Sequence, residues 1–143
     1  MVTALMDAYG LHVGYAGVKE VMAMSTTTRS SHAAGAQVAL TDQVAAVKEV
    51  LGPKLAGFTF GVSLTTVDRW ATGKVTPGLD RERRVRAAYQ ILELLRPVEA
   101  APTIRAWFIG MNPQLDDRAP AEAIAEGDLR ETLAAARAFA AGG

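Results

Sequence analysis

The sequence predicts an all-α fold, a helix-turn-helix bundle followed by a small helical module. Three observations predict it. From Leu40 onward, apolar residues recur at spacings of three and four. Glycine and proline punctuate the chain at helix-length intervals, with Pro at starts and Gly at ends. No stretch alternates convincingly with a period of two, as a half-buried strand would. The 143 residues suit one ordinary domain, or two small ones sharing a core.

The elements follow in order. Residues 1–39 read as a flexible or extension segment. Residues 1–23 are mildly apolar but broken by Gly10, Gly14 and Gly17, with no basic residue before Asp7, which excludes a signal peptide. The small polar run 25–37 reads as a linker, and Met22 or Met24 offers an alternative start. Residues 40–96 form the helix-turn-helix domain. Its first helix aligns Leu40, Val44, Val47, Val50 and Leu51, with Thr41 as N-cap and Gly52-Pro53 as stop. A short helix, KLAGFTF, runs to Gly61. A third starts after Ser63 and runs to Gly73. A fourth spans about Leu79 to Leu95, with Val85, Ala88, Tyr89, Leu92 and Leu95 on one face. Residues 97–143 form the second module. Pro97 and Pro102 bracket a break, and a helix then ends near Phe108. A turn at NPQL and a short helix from Pro120 to Gly127 follow. The last helix is capped by Asp128 and buries Leu129, Leu133, Ala136 and Ala140.

Composition excludes several chemistries. The chain has no Cys, which removes disulfides, thiolate zinc sites, iron–sulfur clusters and Cys nucleophiles. Its two histidines, His12 and His32, cannot build a multi-histidine metal site. It carries no phosphate-binding glycine loop and no nucleophile elbow, and Asp116-Asp117 reads as a solvated loop pair. The expectation is a protein that is not an enzyme and takes no metal or cofactor. No stretch approaches the ~18 apolar residues of a membrane span, so a cytoplasmic protein is expected.

The charges are unevenly placed. Fifteen basic and fifteen acidic side chains cancel. Split along the chain, residues 1–60 sum to zero, residues 61–96 to +3 and residues 97–143 to −3. A basic middle and an acidic end suggest two surfaces with different partners.

The basic middle holds the sharpest motif, PKLAGFTFGVSLTTVDRWATGK at 53–74. Gly61 sits between two short helices, where the turn needs positive φ. Gly57 is small, which suits close packing of one helix on the next. Val67 and Trp70 point to the core, and Ser63 caps the second helix. In such a motif the second helix enters the major groove with its N-terminal residues near base edges. That makes Ser63, Thr65, Thr66 and Arg69 candidates for DNA, with Lys74, Arg81 and Arg84 as phosphate partners. The same residues also admit a structural reading, with Ser63 only capping and RERR (81–84) only the polar face of a helix. Asp68, on the reading helix, would repel phosphate.

In the acidic end, Trp107, Asn112-Pro113, Leu115, Pro120 and Gly127 have a distinctive spacing. Phe139 either packs back on the bundle or faces a partner. A helix-turn-helix of the form VSLTTVDRW followed by WFIGMNPQL…P…G resembles the Xre/MbcA/ParS antitoxin family over about residues 40–141. That resemblance implies an antitoxin of a type II system. Its partner would be a RES-domain toxin that degrades NAD⁺, with the carboxy-terminal module covering the toxin's active site. It further implies a homodimer and repression of its own operon through operator DNA. Gly61, Val67, Trp70, Trp107, Asn112, Pro113, Leu115, Pro120 and Gly127 match motif positions that build the fold. Arg130, Arg137, Phe139, Gly142 and Gly143 are toxin-binding candidates by position near the end. The alternative is a free-standing transcriptional regulator whose second module dimerises or senses a ligand.

Overall fold

A computed structural model of the chain describes residues 38–142. The expectations placed on residues 1–37, including the linker, His12 and His32, and the expectation for Gly143, lie outside the described residues. Val38 and Ala39 precede the first helix, and the described residues from Leu40 onward form one compact unit.

Among the described residues every regular element is helical, as the periodicity predicts. The helices are α1 (Leu40–Leu51), α2 (Pro53–Phe60), α3 (Leu64–Ala71), α4 (Leu79–Leu95), α5 (Ala101–Ile109), α6 (Pro120–Ala125) and α7 (Leu129–Ala140). A short 3-10 turn, Pro113–Leu115, stands between α5 and α6.

Three boundaries differ from expectation. Thr41 lies inside α1, which already begins at Leu40, so it is not the N-cap. Asp42 in that first turn instead favours the positive end of the helix dipole. Pro102 does not bracket a break; it stands in the first turn of α5, where its missing N–H leaves no intrahelical bond unmade. Asp128 occupies the N-cap position of α7 without a side-chain cap bond, because its carboxylate is engaged elsewhere.

The core is continuous across both predicted segments. Val44, Val47 and Leu51 of α1, Phe60 of α2, and Val67 and Trp70 of α3 pack with Val85, Ile91, Leu92 and Leu95 of α4. Ile104 and Phe108 of α5, Ile124 of α6 and Ala136 of α7 join the same cluster. α1 packs on α4, α3, α2 and α5, α4 packs on α7, and α2 packs on α6. A smaller cluster of Leu115, Ala123 and Ala135 closes the carboxy-terminal end against Trp107. Leu129, Leu133 and Ala140 are only half-buried, whereas Thr132, Ala135 and Ala136 form the buried stripe of α7. The stripe is built of small residues because α7 lies close on α4.

Candidate functional site

The α2–turn–α3 unit is set by two glycines. Gly61 adopts φ 78°, a left-handed conformation that an L side chain resists. Its N–H reaches the Phe58 carbonyl at 3.1 Å, and the Val62 N–H reaches the Gly57 carbonyl at 2.8 Å. This pair of bonds is the Schellman ending, which satisfies carbonyls that the helix leaves open. A Cβ on Gly57 would lie 2.7 Å from the Val62 carbonyl oxygen, so only glycine allows the turn to fold back this closely. The hydroxyl of Ser63 then accepts from the Thr66 N–H at 3.2 Å and caps α3. Val67 and Trp70 are buried, and the Trp70 ring lies 6.1 Å from that of Phe60, which fixes the roll of α3 on α2.

That roll decides what α3 shows to solvent. Thr65, Asp68, Arg69 and Thr72 lie on its outer side and, with Lys74, line a cleft of about 250 Å³. Asp68 does not face solvent unpaired. Its carboxylate meets the Lys48 ammonium of α1 at 2.7 Å. Arg69, Lys74, Arg81 and Arg83 are exposed and have no ion pair among the described residues. Arg84 departs from the expected surface role. Its side chain is only 16% exposed, pairs with Asp80 at 3.0 Å and leans over the turn toward the Phe60 carbonyl at 3.4 Å. It braces the turn instead of projecting from the surface. Thr66 is half-buried, and its hydroxyl is shared with Ser63 at 3.1 Å. Of the residues expected to meet DNA, Thr65, Arg69 and Lys74 come together in one cleft, Arg81 is exposed on the first turn of α4, and Ser63, Thr66 and Arg84 are occupied in holding the fold.

The carboxy-terminal half is organised by the loop from Asn112 to Asp128. The Asn112 side chain accepts from the Gln114 N–H at 2.9 Å and starts the 3-10 turn. Asp116 and Asp117 follow with φ 58° and 65°, two consecutive left-handed residues that let the chain reverse. Arg118 gathers the loop. It donates to the Leu115 carbonyl at 3.0 Å, to Glu126 at 2.6 Å and to Asp128 at 2.7 Å. Hydrogen bonding to Glu126, and next to Asp128, holds its guanidinium above the ordinary range. Trp107 is half-buried, with its ring 6.2 Å from Phe139 and 5.4 Å from Phe108. Trp107, Met111, Asn112, Pro113, Gln114, Ala135 and Phe139 line a surface cleft of about 350 Å³.

No protein-family model matches the chain, and no curated protein does. Among solved structures, a chain of the crystal structure of the M. tuberculosis MbcT–MbcA toxin–antitoxin complex is similar, with a TM-score of 0.62 and 26% identity. The likeness covers 74% of this chain and 97% of that one. The fold is that of a toxin–antitoxin protein.

On this toxin–antitoxin fold the described residues expected to meet a partner lie on α7 or just past its end. Phe139 packs back on Trp107 and still borders the cleft, so the two roles left open for it are compatible in space. Arg130 is 92% exposed, Arg137 is exposed, and Gly142 follows the end of α7 at φ 94°. Sequence reasoning missed three residues that the structure makes prominent. Lys48 neutralises Asp68, Arg118 gathers the loop, and Arg105 donates from Nε and Nη2 to the Val50 carbonyl at 3.2 and 3.0 Å. None belongs to a sequence motif, and each acts on a group distant in sequence or turned inward. Among the described residues no group of three or more His, Asp or Glu could hold a metal, and no helix is long and apolar enough to cross a membrane.

Proposed function

We propose that this chain is the antitoxin of a type II toxin–antitoxin pair of the Xre/MbcA/ParS kind. It binds a RES-domain, NAD⁺-degrading toxin and covers the toxin's active site with residues of the segment 97–143. The observation that carries the reading is the likeness, over 74% of this chain and 97% of the other, to a chain of a toxin–antitoxin complex. The motif pair VSLTTVDRW and WFIGMNPQL…P…G supports it. So do the exposed Arg130 and Arg137 on α7 and the surface cleft bordered by Trp107 and Phe139. Arg130, Arg137, Phe139, Gly142 and Gly143 are the proposed toxin-facing residues. The protein acts in the cytoplasm as a homodimer.

The segment 40–96 supplies a second surface. Thr65, Arg69 and Lys74 on and after α3, with Arg81 behind them, contact operator DNA and repress the operon.

Co-expression with the RES-domain protein encoded beside it tests the first part. The expected result is a stable complex and restored growth. Purification of this chain alone, with growth unrescued, would refute it. Arg69→Ala tests the second part, since it weakens operator binding and leaves toxin binding intact. Loss of both together would make Arg69 structural.

A further inference from the structure

Asp68 is the acidic residue of α3, and it stands in the cleft that holds Thr65, Arg69, Thr72 and Lys74. A free carboxylate there would oppose every phosphate that α3 approaches. The structure answers this from outside the helix-turn-helix. Lys48 projects from the last turn of α1 and places its ammonium 2.7 Å from the Asp68 carboxylate. The pair crosses between two packed helices, with the side chains 36% and 58% exposed, so it stays close to the surface that DNA would meet. An ion pair this exposed contributes little to stability, about 0–1 kcal/mol, so folding alone is a weak reason for it.

We propose that Lys48 is a positioning residue for nucleic acid. By holding the Asp68 carboxylate against α1, it cancels the repulsion that Asp68 would exert and leaves Arg69 and Lys74 to set the sign of the reading face. This rests on the reading of α3 as an operator-contacting helix. The chemistry recognised is the polyphosphate backbone of duplex DNA. Lys48 acts through Asp68 and needs no phosphate contact of its own.

The test measures binding of the full chain, and of its complex with the toxin, to a duplex covering the region upstream of its own gene. At ~50 mM salt, Lys48→Ala weakens binding about three- to tenfold, because a negative charge is uncovered within a Debye length of the phosphates. At ~300 mM salt the difference falls below about twofold. Adding Asp68→Ala to Lys48→Ala restores binding to within about twofold of wild type, and Lys48→Arg retains it. A merely structural role for the pair predicts neither the salt dependence nor the rescue. Three results overturn the proposal: Lys48→Ala binding as wild type, the double variant staying as weak as Lys48→Ala, or Asp68→Ala alone weakening binding as a lost base contact would. Failure of the wild-type chain and its complex to bind the duplex at low salt removes the operator reading itself, and the proposal with it.

Discussion

Replacing Gly57 by Ala tests how the α2–turn–α3 unit is built. On an ordinary helix this change is favourable by up to about 1 kcal/mol. Here the new Cβ would stand 2.7 Å from the Val62 carbonyl oxygen, about 0.7 Å inside ordinary van der Waals contact. The obstructing atom is backbone, so it moves only if the turn opens. Opening stretches the bond from the Val62 N–H to the Gly57 carbonyl, now 2.8 Å, a loss of about 1 kcal/mol. Overpacking adds about 1–3 kcal/mol. The net expectation is a destabilisation of about 1–3 kcal/mol, which lowers the melting temperature by roughly 10 °C for a unit of this size. Thermal melts followed by circular dichroism measure it, with urea unfolding as a check. Gly78→Ser is the control. Gly78 occupies the N-cap of α4 with nothing near its missing Cβ, so serine leaves stability unchanged or slightly raised. A Gly57→Ala protein that melts at or above the wild-type temperature would refute the claim that close backbone approach requires glycine there.

Two further substitutions probe the inter-helix ties. Arg105→Ala removes both donations to the Val50 carbonyl at the end of α1 and lowers stability by about 1–2 kcal/mol, read as a shift in urea midpoint at unchanged slope. Arg105→Lys does not restore it, because an ammonium cannot present the two-pronged donor; full rescue by Lys would show that charge alone matters. Arg118→Ala lowers the melting temperature by releasing the loop from Glu126 and Asp128. A base whose folded pKa is raised contributes stability that is fully present below its unfolded value and is lost only as pH rises through the folded one. The deficit is therefore the same at about pH 7 and about pH 9, and it shrinks in concentrated salt. A deficit that grows between those two pH values would contradict the assignment.

The fold was largely legible because its signals are local. Gly61, Ser63 and Pro120 each dictate a turn, a cap or a start through their own backbone, and the structure uses all three as the residues imply. The Gly57 approach was legible too, since a small residue four before a helix-ending glycine has few other uses. What escaped were long-range demands on polar side chains. Asp128 sits at a cap position, but Arg118, ten residues earlier, takes its carboxylate. Arg84 belongs to a basic run and would read as surface, yet the turn from Phe60 to Gly61 draws it inward across 24 residues of sequence. Arg105 reaches a carbonyl 55 residues away. Spacing along the chain carries no trace of such pairings.

The same pairings change what the charge split means. In the basic stretch, Arg84, Arg86 and Arg96 are bound to Asp80, Glu82 and Glu93 on their own helix or its end. Lys48 removes the remaining acid, Asp68, from outside the stretch. The cations of this stretch left without an ion pair among the described residues are Arg69 on α3, Lys74 in the loop after it, and Arg81 and Arg83 near the start of α4. In the acidic stretch, Arg118 pairs with Glu126 and Asp128 and Arg130 stands 3.9 Å from Glu131, while Glu99, Asp116, Asp117 and Glu122 have no ion pair among the described residues. Local ion pairs thus cancel most of the acids in the basic stretch and leave its surplus as four exposed cations. The neutral total therefore conceals an uneven distribution along one continuous core, in which the Lys48–Asp68 pair neutralises the acid of α3.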